Sequence, residues 1–416
     1  MPKTPTNYLS AREAAAALKV SLPTLYAYVS RGLVRSEAVG GSKRLRRYRR
    51  DDVERLQERQ AQRRNPGHAA QQAAAQALHW GTPVLESALT LIENGRVFYR
   101  GREAVQLAET QSFESVAALL WDGDEAAIRA APPPDLRQWA AALAARADGS
   151  PAGAFQVVLP LAAQADLPAY DLRPAAVRQT GARLLKLLAA AAVYPAPLGP
   201  GGLAEALARA WAPTVPAAPR LINAALILCA DHELNVSAFT ARCVASAGAT
   251  PYDVVTAGLA ALRGTRHGGH TARVEALLDE VGGAGRAGRV LAARLQRGET
   301  LPGFGHPLYP PPAGDPRGAT LLDLSEAHFP RSRAVALSRA VVAEAERLLG
   351  ERPTIDFALV VLARALRLPA GAPLALFALG RTAGWVAHAL EQYALGQMIR
   401  PRARYVGVAP AGAVGG

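Results

Sequence analysis

Apolar residues recur at helical spacing through long stretches of this chain, as at residues 175–192 and 337–349, while the strict alternation of a half-buried strand is scarce. That pattern points to an almost wholly helical fold. Alanine and leucine dominate it, and both favour helix strongly. With 416 residues, half of them hydrophobic, the chain can build sizeable cores in two or three domains. The longest apolar runs, 184–194 and 221–230, fall short of the roughly 20 residues that cross a bilayer, so they are predicted to be core helices. Cys229 and Cys243 are the only two cysteines, and the N-terminus has no signal-peptide pattern. A disulfide scaffold and secretion are therefore not expected, and the cytoplasm is the predicted location.

The net charge of +13 is unevenly spread. Residues 1–66 carry 15 Lys/Arg against 6 Asp/Glu, so most of the tendency to bind polyanions belongs to this segment. A boundary is expected at Asn65-Pro66-Gly67, where the charged run gives way to an alanine-rich stretch. Within the segment, Ser10 and Glu13 have capping-box spacing ahead of a short apolar helix, and Ser21 caps a second helix that Gly32 ends. A basic stretch follows, Ser42 to Arg50, closed by a further helical turn. Helix pair, turn, basic wing and closing helix resemble the winged helix-turn-helix of the MerR and excisionase type. The resemblance implies double-stranded DNA as a partner. Thr24, Tyr26, Tyr28 and Arg31 on the second helix would enter the major groove, with Lys43, Arg44, Arg46, Arg47, Arg49 and Arg50 on the phosphates. The alternative is a solvated basic hairpin on a small module that binds protein.

Further motifs follow in order: Asp231-His232 with Asn235 and Ser237, Arg266-His267-Gly268-Gly269, Pro302-Gly303-Phe304-Gly305-His306-Pro307, Asp315-Pro316-Arg317, Asp356 in an apolar run, Arg381 with Trp385 and His388, and Arg400. Glycines let backbone approach a ligand and prolines stiffen the path, so His306 and Arg317 suit a small anionic carbonyl compound. Taken in order and spacing, these motifs resemble the citrate synthase family over residues 80–407.

The resemblance implies an all-α, two-domain helical body: a large domain of residues 67–264 and 351–407, a small domain of residues 265–350, and a tail from 408 to 416. It implies an acyltransferase that condenses acetyl-CoA with oxaloacetate. Asp356 would be the base, His267 the donor to the thioester oxygen and His306 the group that polarises the keto carbonyl. Arg317, Arg381 and Arg400 would hold carboxylates, with His232 as a further donor and Arg400 reaching the other subunit of a homodimer. No metal and no permanent cofactor are implied; acyl-CoA is a co-substrate. Propionyl-CoA, the methylcitrate reaction, is the near alternative. A metabolite-sensing transcriptional regulator built on the same body is a third reading.

Three departures from the family pattern stand out. His270 follows the two glycines where Ala is usual, as either an exposed bystander or an added imidazole in the chemistry. Pro310-Pro311-Pro312 occupies a place where a basic residue commonly meets coenzyme A, and Ala358-Leu359-Val360 replaces the usual Tyr-Ser-Gly. Arg263, Arg266 and Arg273 are the nearby cations that could compensate.

Overall fold

Ser10 ends a strand and starts a helix. Its hydroxyl accepts from the Glu13 N–H at 3.3 Å while the Glu13 carboxylate accepts from the Ser10 N–H at 2.8 Å, the reciprocal pair that the spacing predicts. The structure, a computed structural model, describes residues 8–39, 42–50, 52, 53, 56, 84–145, 149–403 and 405–408. Contacts divide the chain into two units, residues 1–86 and 87–416. The expected boundary at Asn65-Pro66-Gly67 lies outside the described residues.

In the first unit, strand β1 (Tyr8–Ser10) leads into α1 (Ala11–Leu18), α2 (Leu22–Ser30), β2 (Ser36–Val39) and β3 (Ser42–Arg49). The sheet order is β1-β3-β2, antiparallel throughout, so the basic strand lies in the middle. Ala14, Leu18, Leu25, Val34, Tyr48 and Val53 form a small core beneath it. Arg35 grips Asp52 through Nε and Nη2 at 2.9 and 3.0 Å, joining the turn after α2 to the segment past the hairpin.

The second unit opens with β4 (Thr90–Glu93) and β5 (Arg96–Tyr99), joined at Asn94-Gly95, where both residues have positive φ as a tight hairpin requires. Helices then dominate to the end. The 24-residue helix Ala372–Leu395 is buried along most of its length and packs against Pro174–Val193, Ala218–Leu228, Val236–Ser246 and Pro251–Leu262. Both long apolar runs lie mostly in two of these core helices and end one or two residues past them, and no helix among the described residues is long and apolar enough to cross a membrane.

A second core gathers Val274, Leu277, Leu291, Val341 and Ala345 from the helices His270–Val281, Ala287–Gln296 and Arg333–Leu349. The helix Ile355–Leu366 serves both cores. Ala358, Leu359 and Leu362 face the first, whereas Phe357, Val360 and Val361 face the second. That double burial accounts for the apolar run after Asp356.

Candidate active site

Asp356 stands in the first turn of the helix Ile355–Leu366, and two backbone contacts align the His306 loop with it. Thr354 N–H donates to the Gly303 carbonyl at 2.8 Å, and Gly305 N–H donates to the Arg352 carbonyl at 3.0 Å. Gly303 has φ of 86°, and a Cβ there would press on Val274 and Phe357, so the tight approach of this loop needs glycine. Phe304 and Phe357 pack at 4.9 Å between ring centroids.

Asp315 links three elements. Its Oδ1 accepts from the Arg317 N–H at 3.1 Å, capping the helix Pro316–His328, and its Oδ2 accepts from the Ile355 N–H at 3.1 Å. The same carboxylate takes the Arg317 Nε and Nη2 donors at 2.9 and 2.8 Å. The fork of Arg317 therefore faces Asp315, and its guanidinium lies 5.6 Å from the centre of the Tyr309 ring. Asp-Pro at a cap and first helical position is a recognisable helix start, but the cross-chain bond to Ile355 has no local signal.

The imidazoles are neutral, each for physical reasons. Burial first, then the Arg381 and Arg317 cations, push His267 down to about 3; burial and Arg317 push His306 down to about 4. Burial and the same two arginines hold His232 well below the ordinary histidine range. Leu308 N–H donates to His306 Nδ1 at 3.2 Å, so the ring hydrogen of neutral His306 is on Nε2. His267 Nε2 lies 2.9 Å from Ser237 Oγ, which also accepts from Trp385 Nε1 and lies 2.8 Å from Asn235 Oδ1.

Tyr309 was not among the predicted site residues. Its hydroxyl is 2.7 Å from His232 Nε2, and its ring lies 5.0 Å from that of His306, itself 5.3 Å from His232. A tyrosine three residues after His306, in a loop stiffened by prolines, is a signal that could have been read.

Burial raises Asp356 to about 7, outweighing the pull of Arg317. Its Oδ1 is buried without a hydrogen-bond partner among the described residues, and so is Arg381 Nη1. Arg381 donates through Nε to the Cys229 carbonyl at 2.8 Å. Its guanidinium and the His267 ring both lie against Phe377, at 5.1 and 5.9 Å. An unpartnered acceptor and an unpartnered cationic donor, both buried, are costly unless a ligand completes them.

His270 is half-buried and not the exposed bystander of the first alternative. Its Nε2 accepts from the Gly303 N–H at 3.0 Å, and its ring also hydrogen-bonds the Thr265 backbone, so it ties the His267 turn to the His306 loop. Arg352 reaches the Pro312 carbonyl at 3.2 Å and pairs with Glu346. Arg263, Arg266 and Arg273 are exposed. Arg400 is exposed beyond the last helix, and no contact among the described residues joins it to the histidine group. No group of residues suited to hold a metal occurs among the described residues.

On the first unit, Tyr26 and Arg31 are exposed, while Thr24 and Tyr28 are half-buried. Thr24 Oγ1 bonds Ser21 Oγ at 2.9 Å, within the helix start. Arg46 and Arg47 are exposed on β3, but Arg47 is bonded to Glu37 at 3.0 Å and lies over the Tyr8 ring. Arg49 and Arg50 are half-buried. Lys43 and Arg44 lie on β3, with side chains outside the described part.

A carboxylate of raised pKa, neutral imidazoles and buried arginines in one helical body are groups capable of acid–base chemistry on an anionic ligand. The profile "Citrate synthase, C-terminal domain" matches residues 77–402, most of the chain, and "Helix-turn-helix domain" matches residues 8–61. The chain thus belongs to the citrate synthase family and carries a helix-turn-helix domain ahead of the synthase body. Among similar proteins, "Citrate synthase 2" of Bacillus subtilis is 37% identical over 190 residues, 44% of this chain and 50% of that protein. "2-methylcitrate synthase" of Shewanella oneidensis is 34% identical over 198 residues, 46% of this chain and 51% of that protein. The chain aligns with about half the length of these relatives. The crystal structure of citrate synthase from Thermotoga maritima has a TM-score of 0.68 and 25% identity, covering 82% of this chain and 98% of that one.

Proposed function

We propose that this protein condenses acetyl-CoA with oxaloacetate to citrate and coenzyme A. The observation that carries the reading is the pair of buried, unpartnered groups, Asp356 Oδ1 and Arg381 Nη1, beside neutral His267, His306 and His232. Asp356 removes a methyl proton from the thioester. His267 serves as the donor to the enolate oxygen, its ring held through Nε2 against Ser237 Oγ at 2.9 Å. The enol carbon attacks the keto carbon, and the new alkoxide oxygen takes its proton from His306 Nε2. Water then cleaves the carbon–sulfur bond of the condensed thioester, releasing the thiol. Arg381 holds a carboxylate through Nη1, and Arg317 supplies the second cation beside Asp315. His232 contributes its Nε2 when substrate displaces the Tyr309 hydroxyl.

The remaining parts follow the same reading. The lobe of residues 265–350 closes over the substrates and excludes water during condensation. Two chains pair, with Arg400 of each reaching the other's site. The reaction needs an acyl-CoA co-substrate and no permanent cofactor, and the protein works in the cytoplasm. The helix-turn-helix unit binds duplex DNA through α2 and the β2–β3 wing, so that the dimer spans a palindromic site.

Thiol release on mixing oxaloacetate with acetyl-CoA tests the synthase; no release above background at high protein concentration rejects it. Similarity to a protein called a 2-methylcitrate synthase favours propionyl-CoA as the second reading, and one methylene is worth only about 1–3 kcal/mol in a pocket. Steady-state kinetics with both thioesters decides between them. A regulator without turnover would keep a ligand-dependent DNA response after Asp356→Ala, because sensing uses the arginines and not the base.

A further inference from the structure

A cleft of about 740 Å³ lies at the C-terminal ends of the two helices whose first turns carry Arg317 and Asp356, Pro316–His328 and Ile355–Leu366. Helices of 13 and 12 residues place it roughly 18–20 Å from those groups at about 1.5 Å per residue, away from the site already described. Its volume is in the range that holds small organic ligands.

Four arginines line the cleft, Arg331, Arg333, Arg364 and Arg367, and no carboxylate side chain is among its lining residues. Two of them are held in place. Arg333 Nη2 donates to the Gly282 carbonyl at 2.7 Å, and Arg364 Nη2 donates to the Glu275 carbonyl at 2.9 Å and to Asp279 at 2.7 Å. Asp279 offsets the charge of Arg364. Arg331 and Arg367 are exposed and make no ion pair among the described residues. Two aromatic rings, Trp211 and Phe329, complete the walls, both partly buried against the core and so fixed in position.

We propose that this cleft binds a nucleoside polyphosphate. The guanidinium groups take the phosphates, which they match in charge and in forked geometry, and the rings take the base. An inorganic anion would use the arginines and leave the rings unused. The proposal stands independently of the synthase reading, because it concerns different residues and its test needs no turnover.

The test is calorimetric titration of the full-length protein with ATP, alone and in saturating coenzyme A, and with inorganic pyrophosphate for comparison. The expected result is saturable ATP binding that persists in coenzyme A and exceeds pyrophosphate binding. It should weaken about tenfold or more in the Arg331→Ala/Arg367→Ala double variant. Both residues are exposed and outside the catalytic group, and an unchanged thermal midpoint verifies that the variant folds. Four outcomes overturn the proposal: no saturable binding at millimolar ATP, complete displacement by coenzyme A, full retention of binding in the double variant, or pyrophosphate binding as tight as ATP.

Discussion

Asp356 is placed where its charged form is disfavoured, which makes it a stronger base once ionised. Burial raises it to about 7, whereas His267 and His306 are already neutral above about 4. The pH dependence of kcat/KM should therefore show an ascending limb through about 7, set by the carboxylate losing its proton, with no limb from the histidines near 6. Asp356→Asn should lower turnover by about 10²–10⁴-fold. The same substitution should affect stability in the opposite sense. An acid whose folded-state pKa is raised stabilises the protein while protonated, and that contribution is lost as pH rises through about 7. The Asn variant lacks the penalty of a buried charge, so its gain in Tm over the parent should be larger at pH 8.5 than at pH 5.5, as thermal denaturation at both would show. As a candidate site residue, Asp356 was legible only through the order of the motifs. The two-sided packing of its helix explains why its neighbours in the chain are apolar.

At the scale of elements, the site depends on how one loop, one turn and two helix starts are joined. His270 joins two of them, accepting from Gly303 and bonding the Thr265 backbone. His270→Ala leaves the Gly303 N–H without its acceptor. The expected cost is about 1–3 kcal/mol in denaturant unfolding, with a fall in kcat that exceeds any change in KM for oxaloacetate. Gln, which can offer an acceptor to Gly303, should restore part of both. The helix starts at Ser10, Ser21 and Asp315 could be read directly, because caps are local hydrogen bonds with fixed spacing. The bond from Ile355 to Asp315 spans 40 positions and could not be read in that way. It engages the carboxylate that also takes the fork of Arg317, so a local ion pair two residues apart is tied to the start of the Asp356 helix by tertiary packing. Asp315→Asn should weaken this junction, which a higher KM for oxaloacetate and a lower Tm would both register.

For the whole molecule, the chain joins a basic helix-turn-helix unit to a synthase body. The central position of β3 in its sheet carries the exposed Arg46 and Arg47 and the half-buried Arg49 on one strand. If this wing grips phosphates, replacing Arg46 and Arg49 by Ala should lower the slope of log affinity against log salt by about two and weaken binding on all sequences alike, as fluorescence anisotropy would measure. Arg47 should matter less, since Glu37 already takes its charge.

The sequence by itself determined the helical class, the order of the elements and the identity of the groups capable of chemistry, because periodicity, capping and glycine or proline breaks act over a few residues. Tertiary structure alone decided which of those groups are charged and which are paired. The neutrality of three histidines, the raised pKa of Asp356 and the bond between His270 and Gly303 arise from burial and from partners distant in the chain, since desolvation and long-range contacts exist only once the cores have closed.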